Sequence, residues 1–274
     1  MNERKFKLAV CQIRTELSPE ETMAKAGRMV RGAAENGAQV VCLPEMFNCP
    51  YSKEFFKKYA HRDHAGYVAA MSGWARECGI VLVGGSIPEN EDGRTYNTCF
   101  VFDRTGAVIT KHRKVHLFDV DVPGMHFRES ATFTPGSEVT VFDTEYGRMG
   151  AAVCYDVRFP ELFRAMAVRG AELIILPAQF NMFTGPKHWE LALRSRAVDN
   201  ELFMVGAAAA RYEGFDYECW GHSAVVDPYG DVIASCDEKE GIVYADIDLD
   251  RVGEVRRCLP TFMRLRRDVY SVAE

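Results

Sequence analysis

The chain has 274 residues, 47% hydrophobic and 26% charged, with a formal net charge of −6. That length and apolar content suit one large globular domain or two small ones, and no stretch approaches the ~20 uninterrupted apolar residues of a membrane-spanning helix. A negative balance without a basic stripe interleaved with aromatics argues against nucleic acid as a partner.

The opening "MNERKFKLAVCQIRTE" carries no secretory apolar region, so a cytoplasmic protein is expected. Its strand-like "LAVCQIR" (Leu8 to Arg14) leads to an amphipathic helix, "ETMAKAGRMVRGAAENG", stopped near a glycine. "AQVVCLP" is short and β-branched, as a buried strand should be. A helix over "YVAAMSGWARECG", a strand over "IVLVGGSI" and a hairpin about "RTG" follow. From "AAVCYDVR" (Ala151 to Arg158) the series repeats: helix "PELFRAMAVRG", strand "AELIILP", helix "HWELALRSRAVDNE", strand "LFMVGAAAA", hairpin about "PYG". The basic "RRCLPTFMRLRRD" near the end reads as a solvated or subunit-facing helix.

The two halves resemble each other. "GAQVVCLPEMFN" (Gly37 to Asn48) aligns without gaps to "GAELIILPAQFN" (Gly170 to Asn181), with six identities in twelve. Strands alternating with helices imply an α/β sheet, and two similar sheets bury their open faces most easily against each other. The expected architecture is a four-layer α-β-β-α sandwich: one domain over residues 1–274, with two pseudo-symmetric halves. Nine cysteines, an odd number without a C-x-x-C pair, fit free thiols in a reducing compartment better than disulfides or a zinc site.

Where the halves agree a residue is expected to serve the scaffold, and where they differ, the chemistry. Pro44 and Pro177 agree, but Glu45 faces Ala178. A carboxylate directly after a buried strand is costly unless paired or solvated; a helix N-cap or a surface charge would also explain it. Lys114, in "TKHRKVHLFDVDVPG", is followed by an apolar-rich run rather than a polar turn. His116 could be a general base beside a cysteine, yet reads better as a hydrogen-bonded core group. His188 and His222 are candidates for a pocket or its surroundings. Cys154 ends a strand and precedes a helix whose Pro160 and Glu161 suit a first turn. Such an elbow presents a nucleophile at the sheet edge, with the Tyr155 N–H directed at a developing oxyanion. Cys11 occupies the matching place in the first half, so an ordinary buried thiol is the competing reading.

"LPEMFNCPY", "KVHLFDVDVPG" with "FRES" beyond it, and "CYDVRFPE" resemble the three signature regions of the nitrilase superfamily of carbon–nitrogen hydrolases. They occur in order, and the resemblance covers essentially the whole chain. It implies the α-β-β-α fold and a catalytic set of Glu45, Lys114 and Cys154, with Glu129 of "FRES" supporting the lysine. In that reading Lys114 and the helix N-terminus favour the thiolate of Cys154, the free thiol pKa being about 8.5. Glu45 takes the thiol proton and gives it to departing ammonia, leaving a thioester on Cys154. Glu45 then activates water to hydrolyse the thioester, while Lys114 and the Tyr155 N–H hold the oxyanion. No metal or organic cofactor is needed.

Within the superfamily, "KVHLFDVDVPG", "FNMFTGPKHWELALRSRAVDN", "WGHSAVVDP" and "PTFMRLRRDVY" are most similar to the ω-amidase branch. Enzymes of that branch release ammonia from monoamides of 2-oxo dicarboxylic acids, such as 2-oxoglutaramate and 2-oxosuccinamate. Such a substrate needs a cation for its distal carboxylate. Arg158, four residues past the nucleophile, suits that role, with Phe180, Thr184 and Tyr51 as further pocket candidates. Arg158 could instead pair with Asp156 or Glu161. The competing assignments are an amidase of deaminated glutathione, another aliphatic amidase, or an inactive scaffold or redox-sensing thiol protein on this fold. The resemblance also implies a homodimer or a dimer of dimers, with the C-terminal segment as an arm.

Overall fold

The computed structural model describes residues 4–60, 64–122, 125–212 and 217–271. Pro123 and Gly124 of "KVHLFDVDVPG" lie outside the described residues. The first half is built on strands β1 (Lys5–Gln12), β2 (Val40–Cys42), β3 (Val81–Val83), β4 (Ile87–Glu91), β5 (Arg94–Phe102) and β6 (Val108–Arg113). Helices α1 (Pro19–Glu35), α2 (Lys53–Ala60) and α3 (His64–Cys78) are interleaved among them. A small hairpin, β7 (Asp119–Val122) with β8 (Met125–Arg128), separates the halves. The second half has β9 (Val141–Asp143), β10 (Arg148–Ala151), β11 (Leu173–Ala178), β12 (Phe203–Ala208), β13 (Ala224–Val226) and β14 (Val232–Ser235). Its helices are α4 (Pro160–Val168) and α5 (Gly185–Asn200), and β15 (Gly241–Asp248) and α6 (Asp250–Cys258) follow.

The first sheet runs β15-β1-β2-β3-β5-β4, with β6 also on β5; the second runs β14-β13-β12-β11-β10-β9. β1, β2 and β3 are mutually parallel, as are β10, β11 and β12. Parallel neighbours need a crossover connection, and α1, α2 with α3, α4 and α5 supply it. Local signals agree: Ser18 caps α1 by accepting Glu21 N–H at 3.2 Å, and Gly37 leaves its end at φ 84. β15 lies outside the expected series. It returns from the second half to pair antiparallel with β1, Leu8 opposite Ala245.

Alternate residues along a strand face opposite ways, which makes the layers visible in the packing. Leu8, Val10, Val40, Cys42, Val81 and Val83 join Met149, Ala151 and Ile175 of the second sheet in one core. Ala9, Cys11, Val41 and Leu82 pack the other way, on Met23, Ala26 and Val30 of α1 and Trp74 of α3. Phe163 and Met166 of α4, with Trp189 and Leu193 of α5, pack on the second sheet. Each fully buried aliphatic side chain contributes roughly 1.5–3 kcal/mol, so a one-residue slip of any central strand would forfeit several. The order is helices, sheet, sheet, helices: the expected α-β-β-α sandwich. The basic C-terminal helix is shorter than expected. α6 stops at Cys258, ahead of Pro260, and only a 3-10 turn, Phe262–Arg264, follows.

Candidate active site

Glu45 lies just beyond β2, on a turn with two unusual backbone positions. Gly85 has φ +59, and a Cβ there would fall 2.2 Å from Pro44 O, so only glycine fits beneath the turn. Met46 has φ 45, and its N–H donates to Ser86 Oγ at 3.0 Å. Far from being a surface charge or a helix cap, Glu45 is fully buried. Its Oε1 accepts from Lys114 Nζ at 2.9 Å and Asn97 Nδ2 at 2.9 Å; its Oε2 accepts from Gln179 N at 3.0 Å.

Lys114 follows β6. Its N–H donates to Asn97 O (2.9 Å) and its carbonyl accepts from Gly136 N (2.8 Å), so the backbone is held on both sides. The buried ammonium meets Glu129 Oε2 at 2.8 Å as well as Glu45. Glu129 in turn accepts from Phe118 N at 2.6 Å and Asn97 Nδ2 at 3.1 Å. Burial disfavours a charged lysine, but the Glu129 and Glu45 carboxylates outweigh it and hold the Lys114 pKa well above its ordinary value. Burial raises the Glu45 pKa; Lys114 opposes the rise, and the Glu129 charge adds to it.

Cys154 stands where β10 has ended, at φ 48, a left-handed backbone that costs energy for a residue with a side chain. A five-residue 3-10 helix, Cys154–Arg158, follows, and α4 begins only at Pro160. The thiol is 5% exposed. It lies 3.7 Å from Gln179 O, with the Glu45 carboxylate close enough to act on its charge. Burial raises its pKa well above the ordinary value, the Glu45 charge adds, and Lys114 only partly opposes. This corrects the expectation of a thiolate favoured by Lys114 and a helix N-terminus. The lysine's charge is shared with two carboxylates, and the helix at the cysteine is a short 3-10 turn. Burial and the Glu45 carboxylate thus favour the thiol form of Cys154 over the thiolate.

Cys11 does not share this geometry. It lies within β1, opposite Ile242 of β15, on the face toward α1, and burial pushes its pKa to about 12. The Tyr155 N–H precedes the first 3-10 bond, Asp156 N to Val153 O, and so has no acceptor within the turn. His116 is no base for the thiol: its Nδ1 and N–H both engage Asp156 Oδ1 at 2.8 Å.

A narrow cleft, with about 10 Å³ of free volume, opens over Cys154, and Tyr155, Arg158, Phe180 and Thr184 line it with Phe118, Gln179, Asn181 and Tyr217. Arg158 pairs with neither Asp156 nor Glu161; its Nη1 bonds His188 Nδ1 at 2.9 Å, and its guanidinium lies 4.9 Å from the Phe180 ring centroid. Burial and then the Arg158 charge lower the His188 pKa, so the neutral ring accepts that bond. Tyr51 sits one ring back from the cleft, its centroid 4.5 Å from that of Tyr217, with a buried hydroxyl that finds no partner among the described residues. His222 belongs to a separate surface groove beside Trp220. Among the described residues, no group of three His, Cys, Asp or Glu side chains is placed to hold a metal ion, and no helix is long and apolar enough to cross a membrane.

Asn97 and Gln179 are central here and carried no flag in the sequence. A signal existed for Gln179. The alignment that sets Glu45 against Ala178 also sets Met46 against Gln179, a second polar departure between the halves. Gln179 Nε2 donates to Glu45 O at 2.7 Å, and its Oε1 accepts from Cys219 Sγ at 2.9 Å.

The sequence pattern of the carbon-nitrogen hydrolase family matches residues 7–257. An omega-amidase of Danio rerio is 46% identical over 98% of this chain and 97% of its own length. The crystal structure of Saccharomyces cerevisiae Nit3, a nitrilase-superfamily member, is 38% identical with a TM-score of 0.89, covering 96% of this chain and 97% of that one. A single-residue mutant of an amidase of Nesterenkonia sp. AN1, 25% identical with a TM-score of 0.81 over 96% and 95% of the two chains, carries the acetamide moiety of fluoroacetamide covalently on its active-site cysteine. The chain belongs to the carbon–nitrogen hydrolase family of the nitrilase superfamily and is a cysteine-dependent hydrolase of amide carbon–nitrogen bonds.

Proposed function

We propose that the protein is an ω-amidase, hydrolysing the monoamide of a short 2-oxo dicarboxylic acid, such as 2-oxoglutaramate or 2-oxosuccinamate, to the diacid and ammonia. The observation that carries this reading is Arg158: a guanidinium in the wall of a small cleft, four residues from the thiol, with no carboxylate of the described residues upon it. Planar, bidentate donors of that kind suit a carboxylate. Phe180 stacks beneath the guanidinium, and Thr184 narrows the same cleft.

In this reading Glu45 accepts the Cys154 proton as sulfur attacks the amide carbon, so thiolate forms only as it is consumed. Lys114 Nζ and the Tyr155 N–H receive the negative charge that develops on the amide oxygen. The proton held by Glu45 passes to the nitrogen, ammonia leaves, and a thioester remains on Cys154. Glu45 then takes a proton from water, which attacks the thioester; the acid departs and the thiol is restored. Glu129 and Asn97 hold Lys114 and Glu45 in place throughout. The rival reading, an amidase of deaminated glutathione, uses the same triad and demands room for a longer substrate.

We also place the protein in the cytosol as a homodimer or dimer of dimers. Nine free thiols suit a reducing compartment. Leu191 (65% exposed) and Val198 (45%) on α5, with Met263 (68%) and Val269 (66%) beyond α6, are apolar surface a second copy would cover. Ammonia release at neutral pH from 2-oxoglutaramate, glutamine, deaminated glutathione and a simple nitrile tests the assignment. Preference for the oxo-acid amide is expected. Preference for deaminated glutathione would overturn the substrate, and no turnover of any amide would restore the idle-scaffold reading.

A further inference from the structure

Asp156 lies two residues past Cys154 and is fully buried. A buried carboxylate is costly unless its oxygens are satisfied, and here each accepts two hydrogen bonds. Oδ2 takes Val153 N–H at 3.0 Å and His112 Nε2 at 3.1 Å. Oδ1 takes His116 N–H and His116 Nδ1, both at 2.8 Å. The donors come from the residue before Cys154 and from both sides of Lys114. His112 lies near the end of β6, before the lysine, and His116 lies just after it. Each histidine is itself braced. His112 Nδ1 meets Thr140 Oγ1 at 2.9 Å, and the His116 ring stacks on Phe159 at 3.6 Å between centroids.

We propose that Asp156 is a positioning residue of the hydrolysis: its carboxylate clamps the segment carrying Lys114 to the elbow carrying Cys154, and so sets the oxyanion donor at its distance from the nucleophile. This rests on the reading of Cys154 as nucleophile and Lys114 as oxyanion donor. Asparagine cannot replace the clamp. It offers one acceptor oxygen and one NH2 group, and in either orientation the NH2 faces a backbone N–H, that of Val153 or that of His116. The histidine rings can change tautomer, but a backbone N–H remains a donor. Asp156→Asn therefore releases either the elbow or the lysine segment, and a misplacement of ~1 Å costs on the order of a hundredfold in rate.

The test is turnover of 2-oxoglutaramate and of a simple aliphatic amide, expressed per competent site. Sites are counted by covalent labelling with a haloacetamide, against Cys154→Ala as the blank. Asp156→Asn is expected to lower kcat per labelled site about a hundredfold, with KM little changed and the site count near wild type. A role in folding alone would reduce the site count and leave turnover per site intact. His116→Ala removes one side-chain donor but no backbone donor, and should cost about tenfold. His116→Asn should recover much of that loss, its Nδ2 taking the place of the ring Nδ1. If Asp156→Asn does not fold, the His116 pair decides. Unchanged turnover per site, or a change confined to KM, overturns the clamp. Activity surviving in Cys154→Ala would instead overturn the nucleophile reading beneath it.

Discussion

Replacing Arg158 by methionine separates substrate recognition from chemistry. The unbranched side chain keeps much of the contact with Phe180 and the volume of the cleft wall, and removes only the guanidinium. Arg158 is half-exposed, so its pairing with a substrate carboxylate is partly screened. Hydrogen bonds to charged groups contribute about 1.5–3 kcal/mol, and for a partly exposed bidentate pair a figure in the lower half of that range, about 2 kcal/mol, is appropriate. At about 1.4 kcal/mol per tenfold, Arg158→Met should lower kcat/KM for 2-oxoglutaramate roughly thirtyfold.

The control is a short amide without a carboxylate, for which the same variant should change kcat/KM less than about threefold, since no ion pair is lost. Both substrates are followed by ammonia release, with kcat and KM resolved separately. The deficit toward 2-oxoglutaramate should also shrink as salt is added, because an exposed pair is screened in the wild type. An equal loss on both substrates would place Arg158 in the scaffold of the elbow. No loss on either would remove the carboxylate clamp and, with it, the main support for the substrate.

Lys114→Met leaves Glu45 and Glu129 buried and face to face, which should destabilise the fold by about 3–5 kcal/mol. Without the lysine the Glu45 carboxylate, already raised by burial, loses the charge that opposes the rise. The variant's stability is then fully present below the unfolded carboxylate pKa and lost as pH rises through the folded Glu45 pKa, so its urea midpoint should be higher near pH 5 than near pH 8. In the wild type the Glu45 pKa is raised above its ordinary 4.5, and the base must be ionised to act. The acid limb of kcat/KM should accordingly fall above that value, and a limb at or below it would contradict the role of Glu45. Light scattering should give at least a dimer, and Leu191→Asp, at a residue 65% exposed on α5, should shift the mass toward the monomer; a monomeric wild type would refute the assembly.

The layers of the fold were legible because burial alternates along strands and recurs along helices, and because the chain carries that pattern twice. Features that depend on distant pairing were less legible. β15 carries two aspartates at its end and no helix before it to mark a repeat unit, and only its register on β1 makes it part of the first sheet. The proposed triad was legible for a different reason. Glu45 broke the match between halves, whereas Lys114 and Cys154 drew their meaning from their neighbours in the three signature regions. The protonation state of Cys154 was not legible. It depends on Glu129 and Asn97 drawing Lys114 into a shared ion cluster, and on burial that no local stretch reveals. The partner of Arg158 was likewise open, because Asp156 is adjacent in sequence but turned toward His112 and His116.

The duplication also explains why the chemistry sits where it does. The matched stretches that carry β2 and β11 lead on to Glu45 and Gln179, one position apart in the alignment of the halves, and these two residues meet across the sandwich. Gln179 donates its N–H to the Glu45 carboxylate and its side-chain amide to the Glu45 carbonyl, over a sequence separation of 134 residues. Cys154 comes from the second half, and Glu45 and Lys114 come from the first. Neither half alone contains the proposed nucleophile with its proposed base. The base reaches the thiol only when the two sheets are packed face to face, so the site and the core between the sheets form together. A duplicated scaffold that buried its sheets without this division would keep the fold and lose the reaction.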